Sequence, residues 1–174
     1  TIQMGTEEKK EELGTEILNL NIKSYRAVFK NHASKFPCIY LLELGTTKNL
    51  RQQFNISNEI SDDSIVYKYG FTDDIERRLY EHGTTYGKMK NVNINLATYH
   101  IIDLKYVSEA EDDLRQFFKN FKKTITTDGH KELVVLDSME LRSVKREYKM
   151  IGMDYAGATQ GLQNQIEELK EKIA

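Results

Sequence analysis

The sequence predicts a single compact domain of the α/β class, α+β in type, in which a small three-stranded sheet is flanked by helices. Three observations support this. Short apolar runs bounded by turn residues alternate with amphipathic helical segments. The 174 residues are 39% hydrophobic, which suffices for one core. The single proline and the absence of a Gly/Ser/Pro-rich stretch give no internal linker. We expect an N-terminal helical extension (1–34), a core (35–137) and C-terminal helices (138–174).

Three apolar runs are the predicted strands, at positions 38–44, 64–70 and 95–104. A polar loop, 46–63, joins the first two and is longer than a tight hairpin requires. A fourth short run, 133–136, is predicted as an edge strand. The sheet therefore needs helices to cover its apolar sides.

Four helices are predicted from apolar residues that recur every three or four positions, over 7–31, 73–82, 107–121 and 138–150. For the second of these, Asp73 is the expected N-cap and Gly83 the expected stop. Near the end, apolar residues at spacings of four, three and four predict the start of a coiled coil and a homodimer: Leu162, Ile166, Leu169 and Ile173. The alternative is a single helix folded back on the body. The chain begins at Thr1 and stops within this repeat, so we expect a fragment of a longer protein.

The net charge of −2 is unevenly distributed. Residues 22–150 hold 21 Lys and Arg against 18 Asp and Glu, while the two ends hold 4 against 9. Basic side chains recur at helical spacing in two places: Arg115, Lys119, Lys122 and Lys123, and then Arg142, Lys145, Arg146 and Lys149. They are either a nucleic-acid surface or a solvated helix face.

Cysteine and apolar content exclude several classes. The single cysteine, Cys38, excludes an internal disulfide and a Cys-based zinc site, which indicates a reducing, intracellular setting. There is no apolar run of membrane-spanning length and no secretory signal, so no membrane partner is expected. No P-loop glycine pattern occurs, which argues against an NTP-driven function.

A strand, turn and helix carry the most informative motifs. Cys38-Ile39-Tyr40 lies on the first strand and Lys68-Tyr69-Gly70 on the second, followed by Thr72, Arg78-Leu79 and Glu81-His82. In this order and spacing they resemble the GIY-YIG nuclease superfamily, most closely its phage and large-virus branch, with Lys68 in place of the second tyrosine. The resemblance covers about residues 36–121. It implies a mainly antiparallel sheet and a DNA endonuclease that uses Mg²⁺ or Mn²⁺.

Helix geometry independently indicates which side chains can converge. At about 100° per residue, His82 lies about 40° from the centre of the buried stripe of the helix 73–82 and Arg78 about 80°, at its border, whereas Arg77 points to solvent. In the helix 107–121, Glu111 borders the apolar stripe, where an unpaired carboxylate is costly unless it is bound to a metal. Glu111 is therefore the predicted metal ligand, in the place where the family has a metal-binding glutamate.

The resemblance implies roles for the other candidates. Tyr40 activates or orients water, directly or with His82; Arg78 braces the scissile phosphate and Lys68 adds a point charge. Each also has a structural alternative: a core tyrosine, an edge-strand lysine, an Arg78–Glu111 ion pair, and His82 as a C-terminal cap. His100, His130 and Glu132 receive no chemistry. The predicted DNA contacts are Lys88, Lys90, Arg115 and Lys119.

Two other functions remain open. A DNA-binding module with this fold and no cleavage activity would tolerate Lys68 and the missing first glycine. A structural protein would function through its terminal helices, by coiled-coil oligomerisation. Nicking of supercoiled DNA distinguishes the first from the nuclease, and dimerisation through 158–174 without DNA binding would support the second.

Overall fold

The computed structural model describes residues 23–24, 27–28, 36–121, 123–127 and 130–173. The predicted helix 7–31 lies mostly outside these residues. Its two described pairs, 23–24 and 27–28, are helical. Ser24 is buried and Val28 packs against the core, so these described residues are attached to the body.

The described strands form one antiparallel sheet in the order β3-β1-β2-β5-β4. They are β1 (Cys38–Thr46), β2 (Ile65–Thr72), β3 (Asn95–Ile101), β4 (Thr124–Thr127) and β5 (His130–Leu136). The α+β class is confirmed, but the expected number of three strands is wrong. The predicted edge strand at 133–136 is also wrong in position, because β5 starts at His130 and lies between β2 and β4. The sequence of β4, TITT, has no apolar run, and its pairing with β5 alone makes it a strand.

The described helices are α1 (Thr47–Leu50), α2 (Ile75–Tyr86), α3 (Val107–Lys119), α4 (Ser138–Asp154) and α5 (Gln160–Ile173), with short 3₁₀ turns at Leu104–Tyr106 and Gly157–Thr159. The N-cap of α2 is Asp74, one residue later than predicted. This helix also continues past Gly83, because the buried ring of Tyr86 packs against the core on the next turn. None of the helices described is long and apolar enough to cross a membrane.

The sheet has a core on each side. Because side chains alternate along a strand, Tyr40 and Leu42 point to one side and Ile39 and Leu41 to the other. The first side is covered by α2 and α5 and is named the α2 face here. The second is covered by α3 and α4 and is named the α3 face.

The helix α5 packs against the edge of the sheet. Ile166 is fully buried, and the side-chain oxygen of Gln163 accepts a 2.7 Å hydrogen bond from the backbone N–H of Ile101. The Lys170 ammonium lies 3.9 Å from the centre of the Tyr99 ring. This is the folded-back helix that the sequence left open as an alternative to a coiled coil. A homodimer stays a prediction.

Candidate active site

The centre of the site is a buried pair of side chains, Tyr40 and His82. Tyr40 is the third residue of β1 and points to the α2 face, where His82 approaches from α2. Their Oη and Nε2 atoms are 2.8 Å apart. Only 2% of Tyr40 and 8% of His82 is exposed. The alternative role of His82 as a helix C-terminal cap is wrong, because α2 continues for a further turn to Tyr86.

The ring of Tyr40 is held in place by β2 and α4. Gly70 is its register partner on β2, and a Cβ atom at Gly70 would lie 2.6 Å from Tyr40 Oη. From the α3 face, the hydroxyl of Tyr148 donates a 2.7 Å hydrogen bond to the Tyr40 carbonyl oxygen. The glycine of the Lys68-Tyr69-Gly70 motif is thus required by packing, since a side chain there would displace the tyrosine.

Burial keeps both members of the pair uncharged. It raises the pKa of the Tyr40 hydroxyl, and Arg78 partly opposes this effect. Burial, together with the charges of Lys68 and Arg78, lowers the pKa of His82 to about 4. At neutral pH the pair is therefore a phenol hydrogen-bonded to a neutral imidazole, an arrangement through which a proton can pass.

Lys68 lies on β2 and points to the α2 face beside this pair. Since β2 is flanked by β1 and β5, the alternative of an edge-strand lysine is wrong. Its ammonium donates a 2.7 Å hydrogen bond to the Lys131 carbonyl oxygen and lies 3.4 Å from a carboxylate oxygen of Glu132. Burial lowers the pKa of Lys68, and Glu132 counteracts that. The side chain is only 11% exposed, so its position is set by these two contacts.

Glu132 is a residue that sequence reasoning left without chemistry. Its backbone φ is +61°, in the left-handed region that is unfavourable for a residue with a side chain. Burial raises the pKa values of Tyr40 and Tyr69, and the charge of Glu132 raises them further, so this charge is close to the site. The only sequence signal for Glu132 was its position just after Gly129-His130. Its contact with Lys68 depends on the pairing of β5 with β2.

Arg78 lies on α2 next to the pair, and its side chain is 36% exposed. One terminal nitrogen is 3.3 Å from a carboxylate oxygen of Glu81. The Nε atom is buried and has no hydrogen-bond partner among the described residues. A buried donor without an acceptor is costly, which favours binding of an anion at this point. The alternative of an Arg78–Glu111 ion pair is wrong.

Glu111 lies on α3, a helix that covers the α3 face, and the structure does not place it in contact with Tyr40 or His82. It is half-buried, as its helical position predicted, and forms a 2.6 Å ion pair with Arg115. The pairing of β2 with β5 ends at Lys68, so positions 69–72 have no described strand on that side. Burial raises the pKa of the Tyr69 hydroxyl, the charge of Glu132 raises it further, and the charge of Arg115 lowers it. Glu111 is thus paired with an arginine whose charge reaches Tyr69 on β2.

Comparison with protein families places this site inside a known domain. The T5orf172 domain matches residues 37–149. The chain belongs to the T5orf172 domain family. This match contains all of β1 to β5, the first 12 of the 17 residues of α4, and every candidate side chain described above. The T5orf172 domain is associated with nuclease and DNA-binding function.

The similar curated proteins come from a giant virus, Acanthamoeba polyphaga mimivirus. The chain is 32% identical to its "Uncharacterized protein L12" over 173 residues, covering 99% of this chain and 34% of that protein. It is 38% identical to "Uncharacterized protein R865" over 120 residues, or 69% of this chain and 20% of that protein. The chain thus spans about a third or less of these relatives. No solved structure matches it.

The carboxylates of the T5orf172 domain fit only a sparsely coordinated metal ion. No group of three or more His, Cys, Asp or Glu side chains is placed to hold a metal among the described residues. A magnesium ion bound through one carboxylate, several waters and a substrate phosphate needs no such group. Glu111 fits that mode if Arg115 turns aside, which its 59% exposed side chain allows.

The predicted DNA contacts of the T5orf172 domain lie at its surface. Lys88 and Lys90 are exposed in the segment that follows α2, and Lys119 is exposed at the end of α3. These three make no ion pair with another described residue. Arg115 differs, because its guanidinium is engaged by Glu111. Three of the four side chains are thus available for phosphate contacts.

The two buried histidines predict a loss of stability in weak acid. The pKa values of His82 and His100 are lowered by burial to about 4, below the ordinary value of 6.5. Between pH 6.5 and 4 the unfolded chain binds more protons, so the free energy of unfolding falls as the pH falls. We expect a loss of about 2 kcal/mol for each histidine from pH 7 to 5. Urea unfolding at both pH values measures this.

His100→Gln serves as the matched variant for this prediction. It removes one of the two titrating groups without altering the Tyr40–His82 pair, so the pH dependence should fall by about half. If wild-type stability is the same at pH 7 and 5, the assignment of neutral buried imidazoles is wrong.

Proposed function

We propose that this T5orf172 domain is a divalent-metal-dependent DNA endonuclease of the GIY-YIG type, which hydrolyses phosphodiester bonds. One observation carries the proposal: the buried Tyr40–His82 pair lies beside Lys68 and Arg78, whose Nε has no partner. A proton-transfer pair next to two cations suits a substrate that is an anion and must be attacked by water.

A phosphate group explains the arrangement of the cations. The fork of donors of Arg78 matches two phosphate oxygens, and the Lys68 ammonium adds a point charge. Burial lowers the pKa of His82 in the free protein, and the joint repulsion of a proton by these two cations lowers it further. A bound phosphate offsets those charges, so His82 becomes a stronger base when substrate is present.

The chemical step follows from this geometry. A water oxygen attacks phosphorus, and its proton passes to Tyr40 Oη while the Tyr40 proton passes to His82 Nε2. The new P–O bond forms as the bond to the leaving oxygen breaks, and the leaving oxygen takes a proton from solvent. Arg78 and Lys68 hold the phosphate oxygens on which negative charge increases.

We propose Mg²⁺ or Mn²⁺ as the cofactor, held by Glu111 with water in the remaining positions. Such an ion supplies charge stabilisation for the phosphate and its leaving oxygen. The half-buried carboxylate of Glu111 supports this assignment, as does the effect of its partner Arg115 on Tyr69 of β2. Lys88, Lys90, Arg115 and Lys119 are the proposed contacts to flanking DNA.

A DNA-binding module without cleavage activity is the second candidate. It is favoured by the ion pair between Glu111 and Arg115, which occupies the proposed metal ligand. The third, a coiled-coil protein, is less well supported. In α5 the apolar Ile166 is already buried against the sheet of the same chain.

Nicking of supercoiled plasmid in Mg²⁺ or Mn²⁺ tests the nuclease proposal. Arg78→Ala and Glu111→Ala should each lower the nicking rate by about 10²–10³, since each removes charge stabilisation from the reacting phosphate. Arg77→Ala is the matched control, because this neighbouring arginine is 54% exposed and pairs with Asp73. It should nick at nearly the wild-type rate.

The outcomes separate the candidates. Undiminished nicking by both Arg78→Ala and Glu111→Ala would refute the site assignment. Absence of nicking by the wild type, with DNA binding retained, would favour the module without cleavage activity. Loss in Arg78→Ala alone would keep the site and reject Glu111 as the metal ligand.

A further inference from the structure

The outward side of α4 combines basic and methionine side chains. Val144, Tyr148 and Ile151 bury one side of this helix against the α3 face. At about 100° per residue, an arc of about 140° on the opposite side holds the exposed Ser138 and, besides it, seven exposed basic and methionine residues. We name these the basic–methionine surface: Met139, Arg142, Lys145, Arg146, Lys149, Met150 and Met153.

The positive charge of this surface is not neutralised by neighbouring carboxylates. Glu140 lies on another side of the helix, where it accepts hydrogen bonds from Lys123 and from the Asp137 backbone N–H. Glu147 is also outside the arc. None of the four cations makes a hydrogen bond or an ion pair with any residue in the described part of the chain. Four uncompensated charges thus share one face of a chain whose net charge is −2.

The methionines set this surface apart from an ordinary solvated helix face. Met139, Met150 and Met153 are 75%, 51% and 61% exposed, and they are three of the five large hydrophobic side chains that are exposed among the described residues. Exposed apolar groups that cluster on one element indicate a contact surface, and methionine adapts to irregular partners.

The helix is held rigidly, as a recognition element requires. Asp137 and Glu140 form a capping box at its start. At its other end, Gly152 packs so closely on β3 that a Cβ atom would lie 2.9 Å from the Cβ of His100. The 17 residues of α4 extend over about 25 Å.

We propose that the basic–methionine surface binds duplex DNA, with α4 lying in the major groove. The groove is about 12 Å wide and admits an α-helix. Arg142 to Lys149 spans about 10 Å of helix axis, close to the rise of three base pairs. The four cations contact phosphates at the groove walls, and the methionines contact sugars and thymine methyl groups. The basic–methionine surface is thus complementary to a polyanion that also presents apolar groups in a groove.

This surface is distinct from the Tyr40–His82 site. It lies on the solvent side of α4, which covers the α3 face, whereas Tyr40 and His82 lie on the α2 face. The duplex held by α4 is therefore a stretch other than the one at the reacting phosphate, and its binding does not depend on cleavage.

The test is DNA binding by fluorescence anisotropy with a labelled 20-base-pair duplex, at salt concentrations from 50 to 200 mM. EDTA is present, so that cleavage plays no part. The test variant changes Arg142, Lys145, Arg146 and Lys149 to Gln. We expect its affinity to fall at least thirtyfold and the slope of log K against log salt to decrease by about three to four units.

The matched control changes four exposed lysines outside this surface to Gln, and so has the same net charge: Lys23, Lys48, Lys105 and Lys172. Its slope should decrease by less than one unit. A second variant changes Met139, Met150 and Met153 to Gln. Because groove contacts are lost and phosphate contacts remain, it should bind about tenfold more weakly with an unchanged slope.

Wild-type affinity and slope in the four-Gln variant would overturn the proposal and leave the surface to an acidic protein partner. An equal loss in the variant and the control would overturn it too, since only net charge would matter. Wild-type affinity in the methionine variant would refute the groove contacts. Failure of the nuclease proposal would give a different result: the protein would not nick plasmid, but its DNA binding would still depend on α4.

Discussion

Tyr40→Phe is expected to lower the nicking rate by about 10²–10³ while the protein stays folded. The substitution removes only the hydroxyl through which the proton of water reaches His82. The ring remains packed between Gly70 and the core, so the main structural cost is the unpaired Nε2 of His82. That cost is about 1–2 kcal/mol. Plasmid nicking together with urea unfolding separates the two effects.

Tyr67→Phe is the control for this prediction. Tyr67 is equally buried, with 2% exposed, but it lies on β2 and points to the α3 face. Its loss of a hydroxyl should leave nicking within about threefold of wild type. If the two variants nick equally fast, Tyr40 is a core tyrosine, and the alternative that the sequence left open is correct.

Gly70→Ala is expected to lower both stability and activity. The added methyl group would lie 2.6 Å from Tyr40 Oη and 2.8 Å from its Cζ atom, so the ring has to move. The ring is buried and hydrogen-bonded to His82, and overpacking of this kind costs about 1–3 kcal/mol. Displacement of the hydroxyl should also reduce nicking at least tenfold. Urea unfolding and nicking assays on the same preparation measure both quantities.

Gly83→Ala is the matched control for Gly70→Ala. Gly83 lies inside α2, and a Cβ atom there would meet nothing within 4 Å. Alanine is the better helix former, so this variant should be more stable by about 0.5–1 kcal/mol. If Gly70→Ala is as stable and as active as wild type, Gly70 does not hold Tyr40 in place.

Local pattern was enough to predict the strands and helices that carry the candidate site. The apolar runs at β1, β2 and β3 and the three- and four-residue spacing of α2, α3 and α4 depend on neighbouring positions alone. The same spacing predicted that His82 is buried, that Arg77 is exposed, and that Glu111 is half-buried. Each of these exposures depends only on where the residue lies relative to the apolar side of its own helix.

Strand pairing could not be predicted in this way. The polar strand β4 and the central position of β2 depend on hydrogen bonds to β5, whose residues paired with β2 are 65 to 71 positions away along the chain. This pairing carries Lys131 and Glu132 to Lys68, and it ends where β2 becomes open. Glu132 was missed because its role arises from that contact and from no feature of its neighbours.

By itself, then, the sequence determined the α+β class, the buried stripes and the individual candidate side chains, because periodicity places each residue relative to its own element. Only the tertiary structure decided which candidates meet. It joined Tyr40 to His82 and left Arg78 Nε without a partner, while it paired Glu111 with Arg115. Contacts between distant elements depend on how whole faces pack, and that information is spread over the entire core.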